Sequence, residues 1–247
     1  MYWRLLGYIN YVRKKGANVF FRKRKSLNPD VGPVISFTFD DFPISAASEG
    51  ANILEKYGAR ATFYASMSNL DKPGFFRTCD LEELFCKGHE IGCHTFSHID
   101  CWKENPLRLL EDVKMNQLAL QAVIPQSRFT TFAYPYAHVP IIGKLIVGAK
   151  FNAARGGKGG INCESVDANS LLAHTLFYNL NQKNLVELIS NVASCKGWLI
   201  FIIHDVGEEP STYGCTPAQL EMAVRLATQL KIRILPVQDA LTAFGIE

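Results

Sequence analysis

Two adjacent carboxylates and two histidines four positions apart are the residues with the clearest capacity for metal chemistry. Asp40 and Asp41 close the run "VISFTFDD", and His94 and His98 lie in "HTFSH". Two imidazoles with one carboxylate make a three-ligand set that leaves positions open, as in catalytic rather than structural metal sites. With Asp41 available as the carboxylate, these residues predict a divalent metal site. The set suits Zn²⁺ and also Fe²⁺, Co²⁺ or Ni²⁺, since affinity alone selects poorly among them.

The carboxylate doublet indicates two separate tasks at such a site. Side chains alternate along a strand, so Asp40 and Asp41 point the same way only if the strand ends there. One carboxylate then binds the ion, and the other accepts a proton from a water whose pKa Zn²⁺ lowers from about 16 toward about 7. Two alternatives stay open: an oxygen-activating iron site with the same ligands, or an Asp pair that only caps a helix or forms a turn before Phe42 and Pro43.

A third histidine ends another apolar run. His204 follows "WLIFII" and precedes Asp205. Near a metal site it is a candidate general acid for a leaving amine, because the pKa of histidine lies near neutral pH. The alternative is a structural histidine whose ring only satisfies hydrogen bonds at the end of a strand.

Strand-like and helix-like runs alternate from residue 33 onward. β-branched and aromatic runs such as "VISFTFD" and "LLAHTLF" predict strands, and "IRILPV" closes the series. "NPLRLLEDVKMNQLALQAV" predicts a long helix capped by Asn105, "DLEELFCKG" a short helix with Asp80 as N-cap, and "TPAQLEMAVRLATQL" a helix opened by Thr216. Repeated βα units over about 215 residues indicate parallel strands covered by helices. No GxGxxG follows the first strand, so a dinucleotide-binding sheet is disfavoured. We predict one α/β domain built as a distorted, TIM-barrel-like (β/α) barrel of seven to eight parallel strands.

The barrel prediction also places the polar residues. The carboxyl ends of barrel strands open on one face, which is where the active sites of such barrels are built. Residues distant in sequence should therefore converge there without further assumption. The predicted strand ends carry the following polar residues: Asp40 and Asp41, His94, Tyr134 to Tyr136, Arg155 and His204.

Positive charge is concentrated in the first 30 residues. They hold eight of the 26 basic residues and one acidic residue, so the rest of the chain has a net charge of −4 and shows no sign of a nucleic-acid-binding surface. We predict a basic amphipathic N-terminal segment over residues 1–30 and a single domain over residues 31–247. The aromatic residues among these charges favour peripheral contact with an anionic membrane surface. A helix that packs on the domain is the alternative.

The cysteines and the N-terminal residues indicate an intracellular protein. The seven cysteines are an odd number, no CxxC pair occurs, and Arg4 interrupts the apolar run that a secretory signal would need. We therefore expect reduced thiols and a cytoplasmic location. The basic segment would allow peripheral contact with the inner face of the membrane.

The motifs around these residues resemble those of NodB-type polysaccharide deacetylases, carbohydrate esterase family four. "TFDD" (38–41) is similar to the first motif of that family, and "GHEIGCHTFSH" (88–98) contains the second. "YPY" (134–136) matches the third motif in part, and "IIH" (202–204) matches the fifth. The order and separation of the motifs also fit, and the resemblance covers about residues 33–243.

The resemblance implies a metal-dependent hydrolase that removes N-acetyl groups from amino sugars of a polysaccharide, oligosaccharide or lipid-linked glycan, with release of acetate. It implies Asp40 as the general base, His204 as the acid that protonates the leaving amine, and the Tyr136 backbone N–H as a donor to the oxyanion. It implies three metal ligands: Asp41, His94 and His98.

Two departures from the family pattern bear on activity. Ala133 stands where the third motif carries an arginine that holds the base, and no fourth-motif acid is evident in "FNAARGGKGG". Arg155 ends the next predicted strand and is a candidate to supply the missing cation from there; the alternative is an ordinary surface or phosphate-contacting arginine beside a glycine loop. If turnover was lost together with the third-motif arginine that position 133 lacks, the chain would be a glycan-binding pseudoenzyme. An amidohydrolase acting on a small non-sugar amide is a further alternative. Three carboxylates are candidates for orienting His204: Asp167, Asp205 and Asp239.

Overall fold

Eight parallel strands form the core of the protein in the computed structural model, which describes residues 16–17, 19–177 and 179–246. In chain order the strands are β1 (Arg24–Ser26), β2 (Val34–Asp40), β3 (Thr62–Ala65), β4 (Glu90–Cys93), β5 (Thr131–Ala133), β6 (Ala153–Arg155), β7 (Ser165–Asp167), β8 (His174–Thr175), β9 (Trp198–Ile203) and β10 (Arg233–Ile234). All except β1 and β7 belong to one parallel sheet, in the spatial order β6-β5-β4-β3-β2-β9-β8. β10 pairs with the start of β2.

Helices cover this sheet between successive strands. They are α1 (Ala51–Lys56), α2 (Thr78–Cys86), α3 (Pro106–Val123), α4 (Gly143–Lys150), α5 (Gln182–Cys195), α6 (Pro217–Gln229) and α7 (Val237–Phe244). Side-chain caps begin the long helices as predicted. Asn105 accepts a hydrogen bond from the Arg108 backbone N–H at the start of α3, and Thr216 accepts one from Gln219 at the start of α6.

The sheet curls until its two edges meet through the residues that lead into β8. Leu171 lies in a parallel bridge with Arg155 of β6, and its backbone N–H donates to the Ala154 carbonyl oxygen at 2.8 Å. Three residues later the same segment pairs with β9. One short stretch of chain therefore joins both edges, and the predicted distorted (β/α) barrel of seven to eight parallel strands is confirmed.

Side-chain alternation along β2 divides the core into two layers. Ile35, Phe37 and Phe39 pack under the helices, whereas the alternate residues point into the barrel, in a series that ends at Asp40. Apolar side chains, including three from α7, fill the interior: Val34, Trp198, Ile200, Ile202, Val237, Leu241 and Phe244. Asp40 is therefore the last, polar residue of this inward-facing series, at the carboxyl end of β2.

Three local features differ from the expectations drawn from sequence. Asp80, which the pattern favours as an N-cap, is the third residue of α2, where its carboxylate accepts a hydrogen bond from the Arg77 backbone N–H at 2.8 Å. The run "LLAHTLF" contributes only His174–Thr175 as a strand, because its first residue pairs with β6 instead. A final helix, α7, follows the last strand and contributes apolar side chains to the barrel interior.

Part of the basic N-terminal segment is built into the fold. β1 pairs antiparallel with β7, and this pairing places Arg24 opposite Asp167. Lys144 of α4 has a fully buried side chain, and its ammonium donates to the Ala17 carbonyl oxygen at 2.7 Å and to Asp167 Oδ2 at 2.5 Å. This buried ion pair and the β1–β7 pairing attach residues 16–17 and 22–26 to the wall of the barrel.

The remainder of the predicted amphipathic segment, residues 1–15 and residue 18, lies outside the described residues. Within the part of the chain that the structure describes, no helix is both long enough and apolar enough to cross a bilayer. The peripheral membrane contact inferred from the basic segment stays a prediction.

We expect Lys144→Ala to lower the free energy of unfolding by about 3 kcal/mol, because it leaves the Asp167 carboxylate without its buried cation. Urea unfolding measures this change. Lys150→Ala, at an exposed position in the same helix, is the matched control and should change stability by less than about 0.5 kcal/mol. Equal effects of the two substitutions would contradict the structural role assigned to Lys144.

Candidate active site

The two adjacent carboxylates lie at the same end of the barrel because β2 ends between them. Asp40 is the last residue of the strand, and Asp41 and Phe42 have left-handed φ values of 60° and 56°. Each such conformation costs a non-glycine residue about 1–3 kcal/mol, so surrounding packing must hold it. Phe42 is fully buried, and its ring stacks on that of Phe76 with centroids 4.2 Å apart.

Asp41, His94 and His98 form a compact group of potential metal ligands. One ligand atom from each lies within 4.8 Å of the others. Asp41 Oδ1 is 3.1 Å from His98 Nε2 and 3.7 Å from His94 Nε2. This oxygen is buried and accepts no hydrogen bond from any described residue. A buried acceptor without a donor is costly, and a divalent ion held among the three atoms would satisfy it. The residues therefore fit a divalent ion.

The His94 ring is held in the state that a metal ligand requires. Its Nδ1 lies 2.8 Å from the carbonyl oxygen of Ala133, which can only accept, so Nδ1 carries the proton and the Nε2 lone pair remains available. Burial lowers the pKa of His94 to about 4, and the imidazole is neutral at neutral pH. Position 133 carries alanine in place of the arginine of the family pattern. Its backbone carbonyl group nevertheless takes part in the site by holding the His94 ring.

Arg155 contacts the Asp40 carboxylate across the mouth of the barrel. Its Nη2 donates to Asp40 Oδ1, and its side chain is only 1% exposed. The guanidinium carbon also lies 5.1 Å from the centre of the Tyr64 ring, a cation–π distance. Burial alone would raise the pKa of Asp40, but Arg155, His94 and His204 together hold it below its ordinary value. Asp40 is therefore ionised at neutral pH.

His204 follows β9 and lies beside the ligand group. Its Nε2 is 3.8 Å from Asp41 Oδ2, and its buried Nδ1 has no hydrogen-bond partner among the described residues. The rings of Phe177 and Tyr213 flank it, with centroids 6.2 and 5.5 Å away. The three carboxylates considered for orienting this histidine have other surroundings: Asp167 binds Lys144, Asp205 accepts hydrogen bonds from Ser211, and Asp239 lies in the first turn of α7.

Tyr136 completes the set of residues selected from sequence. It follows β5 in a short turn with a φ of 56°, and its ring is 60% exposed and packs edge-on against His98 with centroids 4.6 Å apart. The structure brings all of the selected residues to one end of the barrel: Asp40, Asp41, His94, His98, Tyr136, Arg155 and His204.

The sequence reasoning missed a buried carboxylate that holds the histidine loop. Asp112 of α3 is fully buried, and its Oδ1 accepts hydrogen bonds from the backbone N–H groups of Phe96 and Ser97 at 2.6 and 2.9 Å. These bonds support a loop in which Thr95 and His98 have positive φ values of 62° and 51°. The available signal was an acidic residue on the apolar face of a long helix, where a carboxylate needs donors.

Sequence comparison places the chain beside known deacetylases. A profile of the family described as polysaccharide deacetylase matches residues 28–141. A chitin deacetylase from Arthroderma benhamiae is 28% identical over 123 residues, which cover 49% of this chain and 33% of that protein. A bifunctional xylanase/deacetylase from Pseudobutyrivibrio xylanivorans is 30% identical over 89 residues, which cover 36% and 14%. The chain thus spans a third or less of the length of these two curated relatives.

Solved structures share the fold. The Xyl-CE4 domain of a multidomain xylanase from the hindgut metagenome of Trinervitermes trinervoides superposes with a TM-score of 0.62 over 87% of this chain and 93% of that domain, at 17% identity. Peptidoglycan deacetylase PdaC from Bacillus subtilis gives 0.58 over 88% and 93%, at 18% identity. The resemblance to NodB-type polysaccharide deacetylases is confirmed by the sequence matches, and the barrel fold by the structural ones.

We expect His98→Ala to weaken binding of Co²⁺, used as a spectroscopic probe, by more than the roughly 10–100-fold loss typical of removing an outer partner of a ligand. Titration followed by visible absorption measures the affinity. His174→Ala, which removes a half-buried histidine outside the ligand group, is the control and should leave the affinity unchanged. Wild-type affinity in His98→Ala would show that this group does not bind the ion.

Proposed function

We propose that this chain is a metal-dependent hydrolase that removes N-acetyl groups from amino sugars of a glycan and releases acetate. The observation that carries the proposal is the ionised Asp40 carboxylate, held by Arg155 beside the three-ligand group. The family profile and the relatives described as chitin and peptidoglycan deacetylases support this reaction and this class of substrate.

The ligand group suits Zn²⁺ well, because two imidazoles and one carboxylate leave coordination positions open for substrate and water. Such an ion would polarise the acetyl carbonyl group and acidify the attacking water. The protein contributes the geometry that makes this possible. Ala133 sets the tautomer of His94, and the turn after Asp40 leaves an oxygen of Asp41 free of hydrogen bonds from the described residues.

Asp40 has the charge and position of a general base. Its depressed pKa keeps it ionised, and Arg155 engages Oδ1, which leaves Oδ2 for the proton of the attacking water. The contact also fixes the orientation of the carboxylate, because the guanidinium itself is buried and has little freedom. Arg155 is thus a positioning residue for Asp40, in place of the arginine that position 133 lacks.

His204 would protonate the leaving nitrogen. Its ring packs against Phe177 and Tyr213, and its Nδ1 bonds to no carboxylate among the described residues. The backbone N–H of Tyr136 would donate to the oxygen that becomes negative when water adds to the carbonyl. When the C–N bond breaks, the proton from His204 converts the nitrogen to the amine of the sugar, and the acetyl group leaves as acetate.

We expect Asp40→Asn to reduce kcat for acetate release by about 10²–10⁴-fold, since the amide does not accept the proton of water. The assay measures acetate from N-acetylated chitin and peptidoglycan fragments with metal-loaded protein. Asp30→Asn, at an exposed position, is the control and should retain activity. The proposed function fails if Asp40→Asn is as active as wild type. Release of ammonia or formate from small amides, with no acetate from any glycan, would favour the amidohydrolase alternative.

We expect Arg155→Ala to lower kcat by about 100-fold through misplacement of the base. Without the guanidinium, less positive charge opposes the effect of burial, so the pKa of Asp40 rises. The acid limb of the kcat/KM profile therefore moves to higher pH. Arg155→Lys keeps the positive charge, so the acid limb of its kcat/KM profile should lie between those of the wild type and Arg155→Ala. Arg128→Ala removes an exposed cation as the control. A profile of Arg155→Ala that matches wild type would refute the positioning role.

A further inference from the structure

A basic cavity of about 270 Å³ lies beside the paired strands β1 and β7. Three exposed cationic side chains line it: Arg22, Arg24 and Lys158. None of the three makes an ion pair or a hydrogen bond from its side chain to any described residue. Outside the first 30 residues the chain has a net negative charge, so this concentration of positive charge is local.

The carboxylate in this cavity does not neutralise these cations. Asp167 faces Arg24 across the strand pair, but its Oδ2 already binds the buried Lys144 ammonium at 2.5 Å. Its Oδ1 accepts hydrogen bonds from the backbone N–H groups of Lys23 and Asn169, both at 3.1 Å. The Lys144–Asp167 pair is neutral, so the cavity retains the three positive charges of its cationic side chains.

The basic cavity adjoins a second cavity that leads to the candidate active site. The second cavity has a volume of about 240 Å³ and shares Lys158 and Ser170 with the basic one. Its lining also includes Tyr136, whose ring packs against the metal-ligand candidate His98. The linings of the two cavities thus connect Tyr136, beside the ligand group, with the three cations.

The second cavity has the surface that a sugar chain requires. Trp102 and His138 stack face to face in its wall, with centroids 3.9 Å apart and planes inclined by 4°. The His138 ring is held by Asp100, whose Oδ1 lies 2.9 Å from Nδ1. Flat aromatic walls with a few polar groups are typical of small-molecule sites.

We propose that Arg22, Arg24 and Lys158 form an anion subsite that binds a phosphoryl group carried by the glycan substrate, such as the phosphate or diphosphate that links a glycan to a carrier. The proposal rests on the proposed deacetylase function and names the substrate class for that same site. It also assigns a role in recognition to residues 22–24, which precede the region matched by the family profile.

The donor chemistry fits a phosphoryl group better than a carboxylate. Two guanidinium groups and an ammonium offer many donors in several directions, and the hydroxyls of Ser165 and Ser170 add two more in the same cavity. A single carboxylate has two oxygens and is satisfied by one arginine, whereas a phosphoryl group has three acceptor oxygens and up to two charges. Arginine is the preferred partner for such groups because its planar fork binds two oxygens at once.

The test compares acetate release by the metal-loaded full chain from an N-acetylglucosamine trisaccharide and from the same trisaccharide with a phosphate at its reducing end. We expect kcat/KM to be at least about tenfold higher for the phosphorylated form, mainly through KM. The double variant Arg22→Ser/Arg24→Ser should reduce this ratio to about one. Lys56→Ser/Arg225→Ser, which removes two exposed cations from α1 and α6, is the matched control and should keep the ratio.

Two further measurements keep the proposal falsifiable if the double variant folds poorly. Lys158→Ser changes an exposed loop residue and should also lower the ratio. Inorganic pyrophosphate should compete with the phosphorylated trisaccharide in the wild type and not in Lys158→Ser. A wild-type ratio of one, or a ratio that survives all three substitutions, overturns the proposal.

Additional arms distinguish the source of the phosphoryl group. A carrier-linked substrate is supported if a diphosphate-linked lipid glycan has a higher kcat/KM than the phosphorylated trisaccharide. That advantage should disappear in Arg22→Ser/Arg24→Ser. A second outcome is that phosphatidylglycerol vesicles bind the wild type but not this variant, while the wild-type kcat/KM ratio of the two trisaccharides is one. That outcome would show that the cations contact the bilayer, and it would overturn the proposal. If pyrophosphate binds at these residues but no glycan yields acetate, the deacetylase function fails and the anion subsite stands by itself.

Discussion

The ion pair between Asp40 and Arg155 is the interaction on which the candidate site depends. The two residues end β2 and β6, which are four positions apart in the sheet. In a flat sheet these strands would be roughly 19 Å apart, since neighbours are spaced by about 4.8 Å. The two side chains touch because the sheet curls and brings the ends of β2 and β6 together at the opening of the barrel. Breaking a buried pair of this kind leaves an uncompensated charge, which costs about 3–5 kcal/mol. Barrel closure and the charge state of Asp40 are therefore linked.

Backbone strain is concentrated at the same end of the barrel. Asp41, Thr95, His98 and Tyr136 all have positive φ values, although none is glycine. Such conformations persist only where the surroundings determine them, and here buried partners do so. The Asp112 carboxylate holds the loop that carries the two histidines, and aromatic stacking holds the turn after β2. The strained backbone thus costs stability, and it directs the candidate metal ligands and Asp40 toward one point.

The proposed chemistry and the proposed recognition of the substrate draw on different parts of the fold. The groups that would act on the acetamide come from the ends of barrel strands or from the residues that follow them, and Arg155 and His94 among them are almost completely buried. The groups inferred to bind the rest of the substrate come from exposed loops and from residues 22–24, which the β1–β7 pairing and the Lys144–Asp167 ion pair attach to the barrel. If these outer residues bind substrate as proposed, substitutions there would change substrate preference without disturbing the strand ends, because loops tolerate substitution better than a packed core does.

Local patterns in the sequence were enough to predict the alternating strands and helices, the barrel, and the carboxylate and histidine motifs at the strand ends. Strand and helix periodicity and capping act over a few residues, so they can be read without a structure. The tertiary structure decided the contacts between distant residues. Arg155 reaches Asp40 over 115 positions of sequence, β1 pairs with β7, and His204 packs against aromatic rings, while its Nδ1 has no partner among the described residues. These contacts depend on how far the sheet curls and where the loops cross it, which no short stretch of sequence specifies.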